Sequence, residues 1–90
     1  MFEVMLSGKS KKFIKGCDKK FSEILRETFH KLSENPVPAK DYNLKKIKGA
    51  ESNRYRIRIS NFRIIYRVLW NEKVVRILKI ERRKDRTYKF

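Results

Sequence analysis

The sequence has few of the residues on which several common functional sites depend. Its single cysteine, Cys17, excludes an internal disulfide and a cysteine-rich zinc site. With a single histidine, His30, no Ser/His or Cys/His catalytic pair stands out in the sequence. The three glycines form neither a Walker loop nor a GxGxxG motif, and no apolar run approaches the roughly 18 residues of a membrane span. Because residues 1–6 are also too short for a signal sequence, we expect a cytoplasmic protein that contacts no membrane.

Acidic residues are scarce as well. The chain has 10 Asp and Glu against 25 Lys and Arg, which gives a net charge of +15. Residues 46–90 account for +11 of that charge, and nine of the ten arginines lie between Arg54 and Arg86. Arginine grips phosphate with a planar fork of donors. We therefore expect a polyanionic partner that binds the C-terminal half of the chain, and among such partners we favour a nucleic acid.

A length of 90 residues with 40% hydrophobic content predicts one packed domain spanning residues 1–90. A short strand at residues 2–6 precedes a helix at 9–15 that ends at Gly16. A second helix begins after Asp18, carries an apolar stripe from Phe21 to Leu32 and stops at Asn35-Pro36. A polar connector at 39–53 leads to three strands at 54–59, 62–70 and 74–82, and then to a basic tail at 83–90. The order β-α-α-β-β-β predicts an α+β fold with both helices on one face of an antiparallel sheet.

Alternation along the last three strands separates an apolar face from an arginine face. Two-residue turns at 60–61 and 71–72 would place Arg58 opposite Arg63, Arg54 opposite Arg67, and Arg67 beside Arg76. We expect no carboxylate partner for Arg63 on this face. Tyr66 and Trp70 fall on the apolar face, and both are predicted to be core residues.

Three runs in this region resemble the RelE toxins of the RelE/ParE superfamily of toxin–antitoxin systems. They are Tyr55-Arg56-Ile57-Arg58-Ile59, Phe62-Arg63-Ile64-Ile65-Tyr66-Arg67-Val68 and Lys73-Val74-Val75-Arg76-Ile77-Leu78-Lys79-Ile80. The strand–helix–helix start, residues 44–49 and a basic tail containing a tyrosine extend the resemblance over nearly the whole chain.

The resemblance implies a RelE-like fold and a metal-independent endoribonuclease that needs no cofactor. Such an enzyme cuts messenger RNA in the ribosomal A site, where the 2′-hydroxyl attacks the adjacent phosphate and translation is inhibited. The reaction requires a base for the hydroxyl, positive charge at the phosphorane and help for the leaving 5′-oxygen. The implied partners are the ribosome with its message and an acidic, RelB-like antitoxin that forms a heteromeric complex with the toxin.

Matched residue by residue, the resemblance assigns Arg56 and Arg58 to the positions of lysines that act on the 2′-hydroxyl or phosphate. Arg63 matches the central phosphate-binding arginine, and Arg82, with Arg83 as the alternative, matches the tail arginine near the leaving group. Tyr88 matches the tyrosine that stacks on or orients the substrate base. Contacts to RNA are expected from Lys45, Lys46, Lys48, Arg54, Arg67, Arg76 and Arg83. One departure bears on the chemistry, because arginine at both lysine positions is a poor general base.

Two other functions fit the same sequence features. A ParE-like toxin would poison DNA gyrase without nuclease activity. That branch of the superfamily generally lacks the arginines at positions 56 and 63 and in the tail, so the sequence favours the RelE branch. The third possibility is a basic RNA-binding module that performs no catalysis.

Overall fold

The computed structural model of the protein describes residues 1–49 and 53–82. Seven elements follow one another along the chain, and their bounds are β1 Glu3–Leu6, α1 Gly8–Lys15, α2 Lys19–Glu34, β2 Asn43–Lys46, β3 Arg54–Ile59, β4 Phe62–Leu69 and β5 Val74–Arg82. The predicted tail at 83–90 lies outside the described residues. No helix in the described ranges is long and apolar enough to cross a membrane.

Both helices begin at side-chain caps. The Ser7 hydroxyl accepts a hydrogen bond from the Ser10 N–H at 3.2 Å, and an Asp18 carboxylate oxygen accepts one from the Phe21 N–H at 3.0 Å. Such caps satisfy backbone donors that the first helical turn leaves unpaired. Helix α2 ends before Pro36, with Asn35 as its C-terminal cap, as the sequence predicts.

The five strands form one sheet in the order β1-β5-β4-β3-β2. Strand β1 runs parallel to β5, whereas the other neighbours are antiparallel, so the sheet is mixed. The α+β class and the order of helices and central strands are confirmed. The expectation of a wholly antiparallel sheet is corrected at β1, because both helices intervene before the chain returns to the sheet.

Strand β2 lies within the segment that the sequence indicated as a polar connector. Its register pairs Leu44 with Ile57 and Lys45 with Arg56 at the edge of the sheet. Only one of its four residues is apolar, which is why no alternation marks it. The free backbone edge of β3 makes these pairings possible, and lysines on an edge strand discourage pairing with a further chain.

The core lies between the helices and one face of the sheet. Its buried hydrophobic residues are Leu25, Leu32, Ile57, Phe62, Ile64, Tyr66, Val68, Val75, Ile77 and Ile80. Phe13 of α1 and Phe21 of α2 both contact the Phe62 ring edge-on, at centroid distances of 5.6 and 4.7 Å. The two helices therefore cover the same face, as predicted. Burial of Tyr66 is confirmed, but the expectation for Trp70 is wrong.

Trp70 lies in the turn after β4, and 46% of its surface is exposed. Its ring meets Phe2 edge-on at a centroid distance of 5.6 Å. Strand β4 ends one residue before Trp70, at Leu69, so alternation no longer directs this side chain into the core.

A bulge interrupts the pairing of β4 with β5. Tyr66 pairs with Ile77, but the preceding residue, Ile65, pairs with Lys79, so Leu78 is the extra residue on β5. The start of α1 is hydrogen-bonded to the bulge. The Ser7 N–H and the Ser10 hydroxyl donate to the Ile77 carbonyl at 3.1 and 3.4 Å. The Ser7 hydroxyl donates to the Leu78 carbonyl at 3.1 Å. Every β5 side chain beyond Leu78 therefore points to the face opposite from the one that unbroken alternation predicts.

Candidate functional site

The outer face of the sheet, turned away from the helices, collects most of the arginines. Directly paired residues share a face, and the register places Arg58 beside Arg63, Arg54 beside Arg67, and Arg67 beside Arg76. These three pairs agree with the prediction from the two turns. Together with their neighbours they form a surface, called the basic face here, that consists of Lys45, Arg54, Arg56, Arg58, Arg63, Arg67, Arg76 and Lys79.

The arginines of β3 and β4 are half-buried on this face rather than extended into solvent. Within the described part of the chain, the buried Nε atoms of Arg54 and Arg58 have no hydrogen-bond partner. Like charges directly opposite each other destabilise a sheet. An anion lying across β3 and β4 would relieve this repulsion and supply acceptors, which makes the face suited to a phosphate backbone.

One carboxylate, that of Glu81, contacts the centre of the basic face. One of its oxygens lies 3.1 Å from Arg63 Nε, and the other lies 3.5 Å from Lys79 Nζ. The Arg63 Nε–H is not directed at the carboxylate, so the contact is an ion pair without hydrogen-bond geometry. The side chains of Arg63 and Glu81 are 37% and 33% exposed. The expectation that Arg63 has no carboxylate partner is therefore wrong.

The bulge at Leu78 explains why the sequence did not indicate this contact. Unbroken alternation would pair Arg63 with Ile80 and direct Glu81 toward the helices. The extra residue instead pairs Arg63 with Glu81 and Ile65 with Lys79. Glu81 and Lys79 are thus the two residues of this face that sequence reasoning missed, and no local signal in β5 marks the bulge.

The same bulge moves Arg82 away from the other predicted catalytic residues. Arg82 pairs with Phe62 on the helix side of the sheet. Its guanidinium carbon lies 5.1 Å from the centroid of the Phe21 ring and 5.7 Å from that of Phe62, which is cation–π geometry. The structure therefore brings together Arg56, Arg58 and Arg63 but not Arg82.

Two lysines that were predicted to contact RNA lie off the basic face. Lys46 pairs with Tyr55 and so belongs to the helix side, at the sheet edge, while Lys48 is an exposed residue beyond the end of β2. The expected roles of Arg83 and Tyr88 fall outside the described residues.

Three other residues that could act chemically lie away from the basic face. Tyr66 is fully buried, donates a 2.7 Å hydrogen bond to the Pro36 carbonyl, and has a pKa raised by burial. Burial also raises the pKa of the Cys17 thiol, although the nearby Arg82 charge opposes the shift. His30 is exposed on α2, 3.4 Å from Glu34. Among the described residues, no three His, Cys, Asp or Glu side chains lie close enough together to hold a metal ion.

Comparison with known proteins assigns this chain to a class of small toxins. The sequence model of the family described as the ParE toxin of type II toxin–antitoxin systems matches residues 4–87. A Methanocaldococcus jannaschii protein that carries the name toxin RelE1 is 43% identical over 65 residues, which cover 72% of this chain and 67% of that protein. The chain belongs to the RelE/ParE superfamily of type II toxin–antitoxin toxins.

Solved structures with the same fold include a chain of the archaeal RelE–RelB complex from Pyrococcus horikoshii. It is 29% identical, with a TM-score of 0.83 over 91% of this chain and 94% of that chain. The isolated RelE toxin of E. coli shares the fold at 18% identity, with a TM-score of 0.79 over 96% of this chain and 88% of that one. The RelE-like fold expected from the resemblance is confirmed.

Proposed function

We propose that this toxin is a ribosome-dependent endoribonuclease that cuts messenger RNA in the A site without a metal ion. The observation that carries the proposal is the cluster of Arg56, Arg58 and Arg63, half-buried and adjacent on the central strands β3 and β4. Fixed positive charge of this kind stabilises a phosphorane, whose negative charge exceeds that of the phosphodiester ground state. The 2′-hydroxyl attacks the adjacent phosphate, which leaves a cyclic phosphate and a free 5′-hydroxyl.

Each part of the basic face has a role in this proposal. Arg63 binds the scissile phosphate, and Arg56 and Arg58 on the neighbouring strand bind the nucleotide that carries the attacking hydroxyl. Around them, Lys45, Arg54, Arg67 and Arg76 hold the flanking phosphates and set the position of the message. Lys48, an exposed lysine beyond β2, is available for ribosomal RNA.

The proposal includes an antitoxin partner and a cytoplasmic location, where ribosomes are found. The P. horikoshii relative is a RelE–RelB complex. A RelB-like partner of this chain should be acidic, because only a negative segment would neutralise the basic face and exclude RNA from it. Formation of the heteromeric complex should then block cutting.

Gyrase poisoning is the second candidate, because the family model that matches residues 4–87 is described for ParE toxins. The arginines of β3 and β4 favour the RelE branch, as does the 43% identity to a toxin named RelE1. A gyrase poison would require no phosphate-binding cluster on the sheet.

Primer extension on translated messages after induction of the toxin separates the candidates. The nuclease produces new 5′ ends at codons in the A site, and these ends disappear when translation initiation on the message is blocked. A gyrase supercoiling assay with the same preparation is the companion measurement. Inhibited supercoiling with intact messages would replace the proposal by the second candidate, and an effect in neither assay would favour a non-catalytic RNA-binding module.

A further inference from the structure

The proposed cleavage requires a group that removes the proton of the 2′-hydroxyl, and the arginines of the basic face cannot supply it. Arginine stays protonated at any physiological pH, so it cannot accept a proton. Tyr66 is fully buried on the opposite side of the sheet, with a raised pKa. His30 is on α2, also on the helix side. Among the described residues, the carboxylates on the outer face are the next candidates.

Carboxylates on that face are few. Of the acidic residues in the described ranges, only Glu3 and Glu81 point to the outer face. Glu3 pairs with Val74, the first residue of β5, whereas Arg63 pairs with Glu81 near the other end of that strand. The other acidic residues of the described ranges lie on helices, their caps or turns, and they are Asp18, Glu23, Glu27, Glu34, Asp41 and Glu72.

We propose that Glu81 is the general base of this toxin, taking the proton of the attacking 2′-hydroxyl beside the phosphate held by Arg63. The assignment rests on the proposed nuclease function and deepens it. It also supplies the proton acceptor that Arg56 and Arg58 cannot provide, because a carboxylate from β5 carries out the proton transfer.

Three features of the Glu81 contact support this role. The carboxylate lies 3.1 Å from Arg63 Nε, so a phosphate bound by the outer nitrogens of the same guanidinium lies next to it. The Arg63 Nε–H does not point at the carboxylate, so the Glu81 oxygen beside it accepts no hydrogen bond from this group. One third of the side chain is exposed, so a ribose hydroxyl can reach it.

The reaction balances with Glu81 as the only proton acceptor. The O–H bond of the 2′-hydroxyl breaks, its proton passes to a Glu81 oxygen, and the 2′-oxygen forms a bond to phosphorus. The bond from phosphorus to the 5′-oxygen breaks, and that oxygen takes a proton from solvent water. Glu81 then returns its proton to solvent, and the products are a 2′,3′-cyclic phosphate and a 5′-hydroxyl.

Three positively charged groups of the described residues face Glu81. Arg63 faces it from β4, and Arg58 is the next residue across the sheet on β3. Lys79 contacts it from its own strand at 3.5 Å. Strand β1 adds no charge at this level, because it ends at Leu6 opposite Ile77.

The test is single-turnover cutting of a ribosome-bound message across a pH series, with the wild-type toxin, Glu81→Gln, Glu81→Ala and Glu3→Gln. Glu3→Gln is the matched control, since it removes a carboxylate from the same face at a distance from Arg63. Thermal melts and ribosome-binding measurements on each variant show which proteins are folded and bound. Glu81→Asp, which keeps a shortened carboxylate, is the variant to use if the amide variant does not fold.

We expect Glu81→Gln and Glu81→Ala to cut at least about 100-fold more slowly than wild type, the lower end of what a general base contributes. Wild type and Glu3→Gln should lose rate as the pH falls and the carboxylate takes up a proton, and the Glu81 variants should lack this acid limb. Glu81→Asp should keep the limb at a reduced rate. Near-normal cutting by Glu81→Gln would overturn the assignment. A Glu81 variant that cuts slowly but still loses rate at low pH would also overturn it, because Glu81 would then only position Arg63. Failure of the wild-type toxin to cut would instead refute the nuclease proposal itself.

Discussion

Arg63 lies on the basic face between Arg58 on β3 and the β5 pair of Lys79 and Glu81. Its ion pair with Glu81 joins two partly exposed side chains, so it contributes only about 0.2–1 kcal/mol to stability. The fold therefore depends little on this side chain, whereas the proposed chemistry depends on it strongly.

Arg63→Ala should accordingly melt within a few degrees of wild type but cut messages roughly 100-fold more slowly or worse, because a fixed charge at the phosphorane is lost. The measurements are a thermal melt and a single-turnover assay on programmed ribosomes. Arg26→Ala, which removes one exposed charge from α2, is the control and should cut normally. A folded Arg63→Ala toxin that cuts at the wild-type rate would remove Arg63 from the site.

Arg82 illustrates the opposite case, a residue matched to catalysis by resemblance but placed on the helix side by the bulge. Its contact with the Phe21 and Phe62 rings predicts a stabilising role. Arg82→Ala should lose about 1 kcal/mol of stability and about 4–8 °C in melting temperature. Arg82→Lys should recover part of the loss. Below its melting range, Arg82→Ala should cut within a few-fold of wild type, and a 100-fold loss with unchanged melting would return Arg82 to the catalytic set.

At the scale of elements, β4 pairs with β5 and β3 and is also hydrogen-bonded to the segment that follows α2. The Tyr66 hydroxyl bonds the Pro36 carbonyl in the link that follows α2, and its ring stacks on Tyr55 of β3 at 5.7 Å. This one side chain thereby connects the helical layer, the link to β2 and two strands that carry the basic face.

Tyr66→Phe should therefore destabilise the protein by about 1–3 kcal/mol, because it leaves a buried carbonyl without its donor. Chemical denaturation measures this loss as a lower free energy of unfolding, with an unchanged slope of that free energy against denaturant concentration. Tyr55→Phe is the matched control, since the Tyr55 hydroxyl makes no hydrogen bond with the described residues and the ring stack is kept. Equal stabilities of the two variants would contradict the importance of the Pro36 bond.

At the scale of the whole molecule, the net charge is +15, and the register places eight of the 25 Lys and Arg side chains together on the basic face. Folding thus brings together like charges that repel one another. Binding of RNA phosphates to these charges relieves the repulsion and releases counterions from the RNA.

Ribosome affinity should consequently fall by about 1000-fold or more between 50 and 200 mM salt, as expected for six or more phosphate contacts. Equilibrium binding over that range gives the slope of log affinity against log salt. The double variant Lys45→Ala/Arg76→Ala should have a slope smaller by about two, since each lost phosphate contact reduces it by about one. An affinity that stays flat with salt would mean that phosphate contacts do not dominate binding.

The sequence alone determined both helices, the three central strands and the arginine pairs between them. These features follow from local causes: side-chain caps, the proline after Asn35, alternation within each strand and short turns that set the register. Only the tertiary structure decided the parallel pairing of β1, the edge strand β2 and the bulge at Leu78, because each depends on contacts between segments far apart in the chain. The bulge matters most for function. One extra residue reverses the alternation of β5, which brings Glu81 to Arg63 and moves Arg82 to the helices.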